Sequence, residues 1–328
     1  MQSVSILGLG VQLPNRVMEN EEWSEWVDTS DEWIRERTGI ERRRICGPDE
    51  SSADLAEGAA RAALVDAGVG IGEIDEIVVA TDTPEADCPD TAAFLQHRLG
   101  ARGVPTFDLA GSGCAGFLQA VDVCRSRLLT GKRKVLVVGV EAISRQMSWT
   151  FRDTCVLFGD AAGAFVLGQR EEGRPELLGI SVGTDGSQSD ILGRLAGGNR
   201  IPASPELMLV PHWNAVVMKG REVFKEAVGR MTEAAHQALA LAGLGLEEVD
   251  LFVPHQANLR IIQSVGKSLG LPPEKVYVNV QEYGNTGSAS VPLALWEARE
   301  KGLVTAGSTV LMTAFGAGFH WAGAVARF

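Results

Sequence analysis

The chain has 328 residues, 45% of them hydrophobic and 22% charged, with a formal net charge of −12. That length supports one large domain or two of ordinary size, and the acidity argues against nucleic acid as the main partner while leaving room for a local basic patch that receives an acidic one. No apolar run is long enough to span a membrane, Met1–Gly8 lacks the features of a secretory signal, and the five cysteines (Cys46, Cys88, Cys114, Cys124, Cys155) form no C-x-x-C pair; no disulfide or metal site is expected, and a reducing cytoplasm is.

Val4 to Leu9 reads as a strand. Gly8-Leu-Gly10 has the start of a dinucleotide loop, but no third glycine follows and Pro14 opposes a helix there. Asp28 to Ile34 carries helix-start residues before an apolar face. Arg35, Arg37, Arg42, Arg43 and Arg44 make a local basic cluster, either a solvated face or, with Trp33, a surface for an aromatic base and a phosphate. Ser51 to Gly68 predicts an amphipathic helix ended by its glycine, Ile74 to Ala80 a buried strand, Pro84 to Asp90 a loop and Thr91 to Leu99 a helix.

Val104 to Leu109 reads as the end of a buried strand, which Gly111-Ser-Gly113 breaks. Phe117, Leu118, Ala120, Val121 and Cys124 then follow at helical spacing. Cys114 therefore sits where a strand turns into a helix. Free N–H groups and the helix dipole there favour an anion, which predicts a lowered thiol pKa and a nucleophile; the alternative is a small buried cysteine between glycines. Lys134 to Val140 is another strand, Phe158 to Gly163 a tight turn into a strand, and Thr184 to Pro211 mainly loop. Met218 to Gly243 is a long helical pattern, Val249 to Val253 a strand, and Val291 to Glu300 a helix.

The halves repeat. With a shift of 175 residues, Ala67-Gly68 falls on Ala242-Gly243, Gly70 on Gly245, Glu73 on Glu248, Asp75 on Asp250 and Val78 on Val253. Leu99-Gly100 corresponds to Leu269-Gly270, and Val135 to Val138 to Val310 to Thr313. Two alternating α/β halves follow, each with its own sheet. Sites in such sheets form beyond the carboxyl ends of strands, which puts Cys114 and Asn285 at related strand ends facing one centre. His255 follows a buried strand in Val253-Pro-His-Gln-Ala-Asn-Leu-Arg260, and Asn285 stands in a small-residue turn, Gly284-Asn-Thr-Gly-Ser-Ala-Ser290. Singly, His255 reads as a satisfied histidine and Asn285 as a helix cap; together with Cys114 they form a trio on turns of two copied halves.

These motifs, with Asp28 to Trp33, Arg37-Thr-Gly-Ile40, Cys114-Ala-Gly-Phe117, Phe158-Gly-Asp160 and Phe315 to Trp321, run end to end along the chain. It resembles the beta-ketoacyl-acyl carrier protein synthase III family of thiolase-fold condensing enzymes. The resemblance implies a layered αβαβα structure of two duplicated halves, residues 1–170 with the nucleophile and 171–328 with the histidine and asparagine. It implies the condensation of an acyl-CoA primer with malonyl-acyl carrier protein through an acyl-Cys114 intermediate. The N–H groups of Cys114 and Ala317 would hold the oxyanion, and His255 and Asn285 would donate to the thioester oxygen during decarboxylation. It further implies a homodimer and no cofactor, acyl-CoA being a substrate. Trp33 and Arg152 match the pair around the adenine, Arg37 a residue near the nucleotide, Gly220 and Asn258 the pantetheine arm, and Phe315 the aromatic beside the cysteine. Arg260, Lys225 and Lys267 match basic residues for the carrier protein, though the two lysines also read as ordinary solvated charges.

Cys88 stands where many relatives place a phenylalanine that closes the partner subunit's acyl pocket, so primers longer than acetyl are expected. Ala317 replaces a common glycine, and His320 takes the place of a small hydroxyl residue, with no role assigned. A priming ketosynthase or acyltransferase of the same fold in a natural-product pathway is the near alternative, and a non-catalytic CoA-binding scaffold the alternative of another class. Hydroxymethylglutaryl-CoA synthase is disfavoured by the length and the Gly-Asn-Thr turn.

Overall fold

The computed structural model describes residues 4–328. The first half runs β1 (Val4–Gln12), β2 (Arg16–Glu19), α1 (Asp31–Thr38), β3 (Arg42–Ile45), α2 (Ser52–Ala67), β4 (Glu76–Ala80), α3 (Thr91–Leu99), β5 (Thr106–Leu109), α4 (Gly116–Leu129), β6 (Lys134–Glu141), α5 (Arg152–Cys155) and β7 (Ala161–Gln169). The second runs β8 (Glu176–Thr184), β9 (Leu192–Gly193), α6 (Pro205–Met208), β10 (Val217–Met218), α7 (Gly220–Ala242), β11 (Leu251–Pro254), α8 (Leu259–Ser268), α9 (Val280–Tyr283), α10 (Ser290–Glu300), β12 (Thr309–Gly316) and β13 (His320–Arg327).

The repeated residues do the same job twice. Gly68 and Gly243 end α2 and α7 in the left-handed region, at φ 67° and 70°, a conformation that costs glycine little. The carboxylates of Glu73 and Glu248 accept the N–H of Gly70 and Gly245, both at 2.9 Å. Asp75 bonds the start of β6 and Asp250 the start of β12, through matching backbone and side-chain contacts. Each aspartate thereby sets the register of a parallel pair, β4 with β6 and β11 with β12.

Five layers result. On one outside, α2 and α3 pack on the first-half strands through Leu55, Ala59, Ala63 and Leu95. On the other, α7 and α8 cover the second-half strands through Ala234, Ala238 and Val265. Between the first-half and second-half strands lie α4 and α10, whose Phe117, Val121, Val291 and Leu295 share one core with Val78 and Val137 of the first half and Val253 and Met312 of the second. Burying apolar side chains on both faces of each sheet is the main stabilising term here.

Two expectations change. The halves do not keep separate sheets: nine strands join in the order β11-β12-β13-β8-β1-β7-β6-β4-β5. The seam is short, with Val4 opposite Leu177 and Ser5 opposite Glu176, because only the ends of the two edge strands meet. The expected boundary at residue 170 falls in the connection between β7 and β8. Second, β5 is half-buried along its length rather than buried, since it is the sheet's last strand; its second-half counterpart is reduced to one bridge, Phe252 to Val276. Among the described residues no helix is long and apolar enough to cross a membrane, and no cluster of three or more metal-ligating side chains occurs.

Candidate active site

Past β5, Gly111 and Gly113 take positive φ (79° and 53°). This reverses the chain into one 3-10 turn, Gly113–Ala115, that leads straight into α4. The second half builds the same turn at Gly287–Ala289, with Gly287 at φ 56°, ahead of α10. Gly113 thus corresponds to Gly287, and Cys114 to Ser288. Asn285 stands three residues earlier in the register than the cysteine, so the two face a common centre from neighbouring, not equivalent, positions.

The Cys114 turn lies against the turn that joins β12 to β13. A Cβ on Gly316 would come 2.5 Å from the Cys114 nitrogen and 2.6 Å from the Ser112 oxygen; one on Gly113 would come 2.5 Å from the Ala317 nitrogen. Only glycine permits this approach, which brings the backbone at Cys114 and at Ala317 against the facing turn. The Ala317 N–H has no acceptor among the described residues. Such a pair of free donors suits a developing oxyanion.

Cys114, His255, Asn285 and Ala317 line one cavity of about 1140 Å³. The Cys114 thiol donates towards Asn285 Oδ1 at 3.7 Å. That oxygen also accepts the Gly287 N–H at 2.9 Å, so the amide's NH2 end is left to donate. His255, 3% exposed, is held by its backbone N–H to Thr313 O at 2.7 Å. Its Nδ1 bonds Ser290 Oγ, which also receives the Gln256 N–H at 3.5 Å. When the Ser290 hydroxyl donates to Nδ1, the hydrogen of the neutral ring stands on Nε2. Burial holds the imidazole neutral, its pKa pushed down to about 3.

The thiol differs from expectation. Burial, then the Glu141 and Asp82 carboxylates, push Cys114 up to about 12. The predicted lowering from the helix start is outweighed by desolvation and by two acids that the sequence places 27 and 32 residues away.

At the mouth, Arg152 stacks on Trp33 with its guanidinium 4.3 Å from the ring centre, and Arg37 lies 5.2 Å from it. A flat base between Trp33 and Arg152 requires Arg152 to lift. Trp33, Arg37, Gly220, Asn258, Arg260 and Phe315 all line the cavity. Asn258 caps α8 through the Arg260 N–H (2.8 Å) and donates to Arg37 O (3.1 Å). Phe315 stacks with Phe319 at 4.8 Å. Lys225 and Lys267 are exposed and off the cavity lining, as is Cys88 on its loop; the resemblance gives Cys88 to a partner's pocket.

The basic cluster dissolves. Arg35 pairs with Asp31 and Glu41, and Arg42 lies within 4 Å of Glu19 and Glu282. Arg44 bonds the carbonyls of Pro14 and Asn15. Arg43 is fully buried, bonded to Asn20 and Val156 O. Of the five, Arg37 alone reaches the cavity.

Sequence reasoning missed Asp82, Glu141 and Ser290. The first two follow or end β4 and β6, so their signal was a carboxylate at a strand's carboxyl end. Glu141 accepts from Thr83 Oγ1 (2.7 Å) and Ser288 Oγ (3.0 Å) and packs against Gly287, where a Cβ would meet its Cγ at 2.6 Å. His320, unassigned by sequence, sets its Nδ1 between Thr184 Oγ1 (2.8 Å) and Gln119 Nε2 (3.3 Å), under the Gly316–Phe319 turn.

The family description "3-Oxoacyl-[acyl-carrier-protein (ACP)] synthase III" matches residues 107–186, and its C-terminal counterpart matches 239–328. A beta-ketoacyl-[acyl-carrier-protein] synthase III of Symbiobacterium thermophilum is 48% identical over 329 residues, covering 100% of this chain and 99% of its own. Among solved structures, the synthase III of Thermus thermophilus superposes with a TM-score of 0.91 at 43% identity, covering 99% of each chain. The priming beta-ketosynthase from the R1128 polyketide pathway does so at 0.90 and 38%, covering 99% of this chain and 96% of its own.

Proposed function

Because the chain belongs to the 3-oxoacyl-[acyl-carrier-protein] synthase III family, we propose that it starts fatty acid chains by condensing an acyl-CoA primer with malonyl-acyl carrier protein. The product is a beta-ketoacyl-acyl carrier protein. The observation that carries the reading is the meeting of Cys114, His255 and Asn285 on one cavity, with the sulfur 3.7 Å from the amide oxygen.

The chemistry runs in two halves. Cys114 Sγ attacks the primer's thioester carbon, and the N–H groups of Cys114 and Ala317 hold the oxyanion, donors worth about 3–4 kcal/mol each. The carbon–sulfur bond to CoA breaks, and CoA leaves with the proton that the cysteine gives up. A thiol held near 12 releases that proton only as the new bond forms, so the resting sulfur stays neutral. In the second half the malonyl thioester loses CO2. Negative charge moves onto its carbonyl oxygen, where His255 Nε2–H and the Asn285 NH2 donate; a neutral imidazole keeps that hydrogen. The carbanion attacks the acyl carbon on Cys114, and the thiolate departs and takes up a proton. Decarboxylation drives the carbon–carbon bond, so no cofactor is called for.

Around this centre Trp33, Arg37 and Arg152 receive the nucleotide of CoA, and Gly220, Asn258 and Phe315 line the pantetheine path. Arg260, Lys225 and Lys267 receive the acidic carrier protein, and the working unit is a homodimer in the cytoplasm with Cys88 reaching the partner's acyl pocket. Mixing the protein with acyl-CoA and measuring intact mass tests the first half: an acyl adduct that vanishes in Cys114→Ser supports it, and no adduct rejects it in favour of a scaffold. Adding malonyl-acyl carrier protein then tests condensation. The near-equal superposition of the R1128 priming ketosynthase keeps a second reading, the same chemistry on a natural-product carrier; comparing carriers from both pathways separates them.

A further inference from the structure

Beside Cys114 the cavity wall carries charge. Asp82 stands two residues past β4 and lines the cavity. It accepts the Gly111 N–H at 2.6 Å, and the Gly113 N–H also favours its charge. A carboxylate offers about four acceptor positions, so this half-buried group keeps capacity towards the cavity. Arg194, next to the short strand β9, lines the same cavity and acts on Asp82 as an opposite charge. One of its nitrogens donates to Gln146 Oε1, another lining residue, and a guanidinium has further N–H groups to give.

The other titratable groups facing Asp82 are Cys114 itself, Glu141 at the end of β6 and His320 on β13. Burial, then Asp82, push Glu141 up to about 8, so it keeps a proton at neutral pH. Burial lowers His320, which favours its neutral form. Burial raises Asp82 too, and the Gly111 and Gly113 N–H groups and Arg194 oppose that rise. Asp82 and the exposed Arg194 thus bring a carboxyl group and a guanidinium to the cavity that holds Cys114.

We propose that Asp82, Arg194 and Gln146 form a polar subsite for the primer, and that the preferred primer is a hydroxyacyl thioester. This rests on the synthase reading above. A hydroxyl both donates and accepts: it gives its hydrogen to Asp82 and takes one from Arg194. A plain alkyl chain would cover both polar groups and pair neither. A carboxylate would meet Asp82, and an ammonium Arg194, as like charges. The carbon skeleton has apolar walls at Ile143, Met147 and Leu192.

The test measures kcat/KM for CoA release with butyryl-, 3-hydroxybutyryl-, 4-hydroxybutyryl-, 4-aminobutyryl- and succinyl-CoA, with adduct mass as the second readout. One of the hydroxybutyryl primers is expected to exceed butyryl-CoA by about tenfold or more. Asp82→Asn and Arg194→Met are each expected to bring that ratio close to one; since Asp82 also acts on the Cys114 thiol, the ratio between primers is read and not the absolute rate. Butyryl-CoA serving as well as both hydroxy primers overturns the proposal, as does a preference for the amino or carboxyl primer. Equal losses on every primer in both variants also overturn it, since they assign Asp82 to holding the Gly111 turn alone. No adduct with any primer is a different failure, because it removes the synthase reading itself and the subsite with it.

Discussion

Gly316→Ala isolates what the contact between the two turns contributes. The added methyl would lie 2.5 Å from the Cys114 nitrogen, 2.6 Å from Ser112 O and 2.9 Å from the Ala115 nitrogen. All three are backbone atoms, so no side chain can swing aside. To reach even 3.0 Å from the nitrogen, the turns must part by about half an ångström, and the methyl then covers the N–H that is to hold the oxyanion. Losing one such donor costs about 3–4 kcal/mol of barrier, roughly a factor of 100 to 1,000, and overpacking costs about 1–3 kcal/mol of stability. The assay is single-turnover acylation of Cys114 by acyl-CoA, followed by intact mass, with urea unfolding measured in parallel. Gly229→Ala is the control: beyond its own stretch of helix backbone nothing lies within 4 Å of its added Cβ, and alanine within α7 is expected to stabilise by up to about 1 kcal/mol. Acylation of the folded Gly316→Ala protein at the unaltered rate would refute the argument, because the close approach would then have no bearing on the oxyanion.

Ser290→Ala removes the partner of His255 Nδ1; malonyl decarboxylation is expected to fall about tenfold or more while acylation of Cys114 holds, and equal loss in both steps would contradict the tautomer assignment. In a Cys88→Ser background, alkylation of Cys114 by iodoacetamide is expected to keep rising up to pH 10, since burial and the neighbouring acids raise the thiol to about 12; a plateau near pH 7 would show a stabilised thiolate instead. His255 is held near 3 in the folded chain against about 6.5 unfolded. The unfolded state therefore takes the proton first as pH falls, and stability declines from about pH 6.5 downwards. Urea unfolding at pH 7 and pH 5 is expected to differ by about 2 kcal/mol less in His255→Asn than in the parent, and equal differences would count against a neutral buried imidazole.

How much of this could be read beforehand depends on the range of the interaction. Gly68, Gly243, Asp75 and Asp250 answer local demands, a left-handed helix end or a strand's first N–H, so the duplication stood in the residues themselves. Cys114 and Asn285 were legible for the same reason, each on a turn with its own small-residue signature, and His255 stood just past a buried strand. Arg43 was not: it looks like its four neighbours until folding brings it to Asn20 and to the Val156 carbonyl, 113 residues away. The thiol's upward shift was hidden likewise, since Asp82 and Glu141 reach Cys114 only through the sheet. The single continuous sheet depends on two residue pairs between β1 and β8 that no periodicity announces.

The inner helices α4 and α10 have a consequence for how the enzyme comes into being. Each is wedged between strands of both halves, so neither helix is fully covered until the second half has been made and docked. A nascent first half would carry its nucleophilic turn on an uncovered apolar helix, prone to stick and chemically incompetent. Activity is in that sense switched on by completion of the polypeptide, and a chain cut in the connection between β7 and β8 would regain it only when both fragments meet.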